Sequence, residues 1–190
     1  ADAAISDLLA CFDDHEYDRM AREIARIQKA GGDPLQALRS TLADTHDKFE
    51  YGIGHAVAAG ADWLALYDRF KDDPMRRLTA VLEPIAHLAW DTRRQQAFPY
   101  PTEVRAWDAD AFAAAIEAED EGTAIACVRG ALRGGLGFDD IYESLCRAAL
   151  AHYQDFGHAL IYVVKARDFA ARLGPDVLEP VLLMLVRSLV

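Results

Sequence analysis

Cysteine is scarce in this chain, occurring only at Cys11, Cys127 and Cys146. An odd number with no C-x-x-C spacing builds neither a disulfide framework nor a zinc knuckle. In apolar helical surroundings such thiols behave as small hydrophobes, and they point to a reducing, cytoplasmic setting. Long apolar runs are missing as well. The longest, Val177 to Val190, is interrupted by Glu179, Pro180 and Arg187 and is too short to span a bilayer. No basic-then-apolar leader opens the chain, so no membrane partner is expected. Basic residues are outnumbered: 20 Lys and Arg face 31 Asp and Glu, a formal net charge of −11, and the cations are scattered rather than gathered into a stripe. A phosphate backbone would be repelled, which argues against nucleic acid as a partner. Also absent are a phosphate-binding glycine loop, a Rossmann fingerprint, a Gly-x-Ser-x-Gly elbow, a His-Glu-x-x-His pair and an EF-hand loop. No stretch alternates polar and apolar residues long enough to argue for a sheet.

What is present is helical. With 190 residues and 52% hydrophobic content the chain can bury a sizeable core. From Glu16 to Ala30, Tyr17, Met20, Ile24 and Ile27 recur at spacings of three and four before Gly31-Gly32 ends the pattern. Asp33-Pro34, Asp73-Pro74 and Gly174-Pro175 each put proline where a first helical residue belongs, the aspartates standing at the N-cap. Further helices are expected over 3–12, 54–70, 110–118, 122–133, 139–152 and 156–173, while 95–107, with Pro99 and Pro101, reads as a linker. The chain opens on Ala1, and it closes on the apolar pattern Val181 to Val190 with no Gly, Asn or Pro to stop it. This leads us to expect a domain cut from a longer protein.

An internal repeat organises these elements. Aligning Thr41–Pro84 with Leu145–Pro180 sets His46 near His152, Gly54-His55-Ala56 on Gly157-His158-Ala159, and Val81-Leu82-Glu83-Pro84 on Val177-Leu178-Glu179-Pro180. The offset drifts from 106 between the first pair to 96 between the two prolines, so loop lengths differ. A period near 100 is far longer than that of a solenoid. The expected fold is therefore all-α, a helical bundle made of two diverged tandem repeats of about five helices each: residues 1–94, the linker 95–107, and residues 108–190.

The repeat gives the histidines a context. His46, His55, His87, His152 and His158 lie on or beside predicted helices, and neutral imidazole suits both metal binding and proton transfer. Glycine inside a helix costs roughly 1 kcal/mol relative to alanine. Its place directly before histidine in both copies suggests close backbone approach, or a break that aims the ring. Glu83 and His87, four apart, share one helix face in the manner of iron-carboxylate bundles. The second copy keeps Glu179 but has Leu183 where His87 would be, so one asymmetric metal site is expected rather than two. Asp155 is three residues from both His152 and His158 and is placed to orient either ring. His46 and His55, nine apart, converge only if Gly52 and Gly54 break the helix. Lys165, the single charge within Ala159–Ala166, is a catalytic candidate if buried and a snorkelling side chain otherwise. Tyr51, Trp63, Tyr67, Phe156, Tyr162 and Phe169 read as core stripes.

The segments His46-Asp-Lys-Phe-Glu-Tyr-Gly-Ile-Gly-His-Ala56 and His152-Tyr-Gln-Asp-Phe-Gly-His-Ala-Leu-Ile-Tyr-Val-Val-Lys165 resemble the histidine-bearing helices of the questin-oxidase-like family, including relatives joined to a Rieske-type ferredoxin domain. The resemblance implies an all-helical, oxygen-using, monooxygenase-like oxidoreductase. Its substrate would be a small aromatic or polyketide-like molecule, and His55 and His158 would be its site residues. Iron, or haem, is then the candidate cofactor, with His46, His55, Glu83, His87, His152, His158 and Glu179 as candidate metal ligands. The chain has no Rieske Cys-x-His pair, so a ferredoxin-like electron donor would lie outside this segment. The alternative is a helical interaction or scaffold domain whose histidines only complete the core.

Overall fold

The structure, a computed structural model, describes residues 2–151 and 155–190. Among these the chain forms ten helices and no strand: α1 (Asp2–Leu9), α2 (Tyr17–Lys29), α3 (Pro34–Thr45), α4 (His55–Arg69), α5 (Pro74–Asp91), α6 (Ala109–Glu117), α7 (Glu121–Arg133), α8 (Phe138–Ala151), α9 (His158–Leu173) and α10 (Leu178–Leu189). None is long and apolar enough to cross a membrane. Aspartate starts several of them. Asp33, Asp73, Asp108 and Asp120 accept backbone N–H groups of the first turns of α3, α5, α6 and α7, each bond satisfying one otherwise unpaired donor and typically contributing about 1 kcal/mol. The apolar stripe of α2 is where the spacing predicts it, with Met20, Ile24 and Ile27 buried.

The centre of the molecule is the contact between α4 and α9. Both helices run in the same direction, because successive cross-contacts keep nearly the same sequence separation: Asp62 with Lys165 at 103 residues and Asp68 with Arg172 at 104. What brings them close is Gly60, where a Cβ would come within 2.7 Å of the Phe169 ring, itself fully buried. Around this pair α5 packs on α4, α8 and α10 pack on α9, and one contiguous hydrophobic cluster draws on residues from Ala4 to Leu189. Gly52, at φ +78°, lets the loop before α4 lie directly on α10, where Ile53 N–H donates to the Met184 carbonyl at 2.9 Å. A Cβ at Gly52 would collide with that same carbonyl.

The segment read as a linker is largely exposed but is pinned to its neighbours at several points. Phe98 N–H donates to Asp47 O at 2.6 Å, and the hydroxyl of buried Tyr100 donates to His46 O at 3.2 Å. From α10, the Arg187 side chain donates to Phe98 O at 2.8 Å and to Glu121 Oε1 at 2.7 Å while lying 3.8 Å over the Tyr100 ring. A guanidinium only 8% exposed is thus fully engaged by a carboxylate, a carbonyl and an aromatic face.

Three local expectations are corrected. The helix expected from Phe156 begins at His158, because Phe156 (φ 56°) and Gly157 (φ 83°) are left-handed. Pro175 opens a 3-10 turn, Pro175–Val177, ahead of α10 rather than α10 itself. Tyr51 and Phe156 are not core residues: they are 81% and 89% exposed. Both sit in irregular segments, where no helical period dictates which side faces inward.

Two outcomes test this account. Phe169→Ala, which empties the contact opposite Gly60, is expected to cost about 3–5 kcal/mol in a urea unfolding titration. Gly52→Ala, which forces a side chain into the left-handed region against backbone, is expected to cost about 2 kcal/mol or more in the same measurement.

Candidate functional site

The parallel approach of α4 and α9 places the first residues of both helices side by side, and these are His55 and His158. Their ring centroids are 5.4 Å apart, edge to face at 73°. Tyr162, one turn further along α9, completes the group, with its ring centroid 5.9 Å from His55 and 5.7 Å from His158. Its hydroxyl lies 3.5 Å from His55 Nδ1, a long contact that becomes a hydrogen bond only on slight closure. His55 is exposed, while His158 and Tyr162 are half-buried.

His158 and Tyr162 also form part of the wall of a cavity of about 380 Å³, within the range of small-molecule sites. Ala148 and Ala149 from α8, Ile116 and Glu117 from α6, and Ser188 and Leu189 from α10 contribute to the lining, with Tyr51 and Ile53 on the side of the loop before α4. Glu119 adds a second carboxylate, and among the described residues neither lysine nor arginine borders the space. The site therefore combines an apolar floor with imidazole, phenol and carboxylate groups, the inventory of a proton-transfer site.

The remaining candidates have partners of their own. His46 donates from Nδ1 to the Ala43 carbonyl at 2.8 Å, and it stacks on Tyr100 at 5.9 Å and 12°. The break expected between His46 and His55 exists, as a 3-10 turn over His46–Lys48 and the left-handed Gly52, but His46 packs on the connector while His55 turns to α9. Glu83 accepts a 2.6 Å hydrogen bond from the Tyr17 hydroxyl, and His87 Nε2 lies 3.7 Å from Asp91 Oδ2. Glu179 is ion-paired with Arg129. Lys165 Nζ is 2.5 Å from Asp62 Oδ1 at the outer edge of the α4–α9 seam, with its side chain 30% exposed. His152 lies outside the described residues, as does the side-chain pairing expected between it and Asp155. Among the described residues no three His, Cys, Asp or Glu side chains gather closely enough to hold a metal ion.

Two groups matter here that the sequence reading did not single out. Tyr162 reads as part of a core stripe, although it follows His158 by four residues and so shares its helix face. Asp91 follows His87 at the same spacing. Burial holds its carboxyl above the usual range, against the opposing pull of His87, then His55, and a hydrogen bond from the Ala56 amide. Of the cysteines, Cys11 and Cys127 are buried and their thiols are pushed up mainly by that burial, which suits packing rather than reactivity.

No family model matches the chain, and neither the curated proteins nor the solved structures provide a significant match.

The Tyr17–Glu83 bond yields a pH prediction. Chiefly through that hydrogen bond, the Tyr17 phenol is pushed from the ordinary 10.0 up to about 12. Because the folded value is raised, the associated stability is present below pH 10 and is lost as pH rises through about 12. An absorbance titration of phenolate is expected to show that, among the late-ionising tyrosines, one moves to lower pH in Glu83→Gln. For Lys165, Lys165→Met is expected to change stability by no more than about 1 kcal/mol, as for other exposed ion pairs, and calorimetric melting checks it.

Proposed function

We propose that this chain is the histidine-lined domain of an enzyme acting on a small organic molecule, with His55 and His158 as its acid–base pair and Tyr162 as their hydrogen-bonding companion. The observation that carries the reading is the meeting of the two Gly-His-Ala steps, 103 residues apart in sequence, beside a cavity of small-molecule size. Two adjacent imidazoles can hold one proton between them, and His158 borders the space where a substrate would give up or receive it. Two diverged tandem copies, residues 1–94 and 108–190 about the connector 95–107, account for this arrangement: α4 and α9 each start on the repeated step and pack along matching positions.

The class of chemistry follows from the resemblance to the questin-oxidase-like family. It is a monooxygenase-like oxidation in which one oxygen atom of O₂ enters the substrate and the other leaves as water. The two electrons would come from a ferredoxin-like donor domain outside this segment, and the two protons from solvent through the imidazole pair. Among the described residues no three side chains gather to hold an iron ion, and we assign no step to a metal. Catalysis by Lys165 is not part of the reading, since its ammonium is engaged by Asp62.

A second reading, an interaction or scaffold domain, is favoured by one observation. Leu150, Phe156, Ile161 and Val164 all expose large apolar side chains, and all four belong to α8, α9 or the turn just before α9.

Oxygen uptake separates the two. Protein purified without an affinity tag is supplied with reduced ferredoxin and a panel of small phenols and ketones, and compared with His158→Gln. Uptake that falls about 100-fold or more in the variant supports the enzyme. Absence of uptake across the panel, with no ligand-induced shift of the His158 and Tyr162 ring resonances, overturns it and leaves the scaffold reading. Iron analysis of the same preparation is expected to find less than one equivalent retained by the described site. A full equivalent lost in both His55→Ala and His158→Ala would replace the acid–base reading with a ligation one.

A further inference from the structure

We propose that the ligand of this cavity is a small organic cation, an ammonium group on an apolar body, received by the Glu119 carboxylate and the Tyr51 ring. The proposal rests on reading the cavity beside His55 and His158 as the substrate site, and it names the substrate class. It begins from the chemistry of the walls. Ile116, Ala148, Ala149 and Leu189 give an apolar surface against which a hydrocarbon body can pack. The carboxylates Glu117 and Glu119 border the same space, and among the described residues no lysine or arginine does. Glu117 already has an interaction of its own, so the ligand is assigned to Glu119.

Local structure presents both groups at the rim. Glu119, an exposed residue between α6 and α7, stands in a turn closed by its own N–H donating to Ile116 O at 3.1 Å and by that of Asp120 donating to Ala115 O at 2.9 Å. Tyr51 is 81% exposed although it borders the cavity, and the backbone beside it is tied down: Gly52 N–H donates to Phe49 O at 3.2 Å and Ile53 N–H to Met184 O at 2.9 Å. An aromatic ring left bare on an anchored loop offers its π-face to whatever occupies the space, and a π-face attracts cations. Carboxylate and ring border one space of small-molecule size, so a single ligand can touch both. Together they supply what an alkylammonium ion needs, opposite charge for its head and apolar contact for its stem. The formal charge of the chain, −11, favours the approach of a ligand of that sign. A carboxylate ligand meets the reverse, with like charges at the rim and no permanent cation among the described lining residues to offset its desolvation.

Phenylethylamine, phenylethanol and phenylacetate are of nearly the same size and differ in head group, so their Kd values isolate the effect of charge. Each is titrated into the full chain at neutral pH, where the amine is protonated, while the ring resonances of His158 and Tyr162 are followed by NMR. The amine is expected to bind at least about fivefold more tightly than the alcohol, and the carboxylate more weakly than either. Glu119→Gln is expected to weaken the amine about three- to fivefold and to leave the alcohol unchanged. Tyr51→Ala is expected to narrow the gap between amine and alcohol about two- to fivefold, and Tyr51→Phe to preserve it, because the ring rather than the hydroxyl meets the cation. Equal affinity for amine and alcohol, tighter binding of phenylacetate, or no shift with the amine at millimolar concentration overturns the proposal. So does a gap that is untouched in a folded Glu119→Gln variant. The acid–base reading fails separately: oxygen uptake indifferent to His158→Gln removes it while leaving the head-group ranking intact, whereas uptake with phenols and ketones in a protein that does not prefer the amine removes this proposal and keeps that reading.

Discussion

The molecule depends on one close approach, that of α4 to α9 where Gly60 leaves room for the Phe169 ring. Helix axes approach closely only where a small residue faces a large one, and the interior tolerates little departure from such complementarity. Here the contact also runs parallel, so the two helices start at the same end. Their first residues are histidines, and bringing the starts together brings the imidazoles together. Packing energy and site geometry thus share a single origin. The flanking pairs Asp62–Lys165 and Asp68–Arg172 sit on the rim of that seam with largely exposed carboxylates. They align the two helices more than they stabilise them.

Much of the fold is readable in the sequence because local signals and tertiary structure agree. Aspartate-proline pairs start α3 and α5 as their chemistry dictates, and the three-four spacing of Met20, Ile24 and Ile27 identifies the buried face of α2. Agreement fails where local conformation departs from a period. Phe156 is apolar and opens a predicted helix, yet its left-handed backbone turns it outward. Tyr51 is exposed for the same kind of reason, standing one residue before the left-handed Gly52. No reading of hydrophobicity detects a reversal that is set by two dihedral angles.

The site was partly legible. Repetition of Gly-His-Ala singled out His55 and His158, because glycine ahead of a ring in two places is costly unless the backbone needs it. His46, Glu83 and Glu179 stand out through the repeat and helix spacing, and each is engaged by a partner remote in sequence: Tyr100, Tyr17 and Arg129. Such partners become visible only once the chain is folded.

The connector between α5 and α6 is fastened at many points, by Phe98 to Asp47, by Tyr100 to His46, by Arg129 to Pro101, and by Arg187 to Phe98 and the Tyr100 ring. Its attachment to both sides does not rely on the continuity of its own backbone. A protease nick within it would leave the fragments held in place, and the polypeptide could be produced as two complementary pieces that reassemble on mixing.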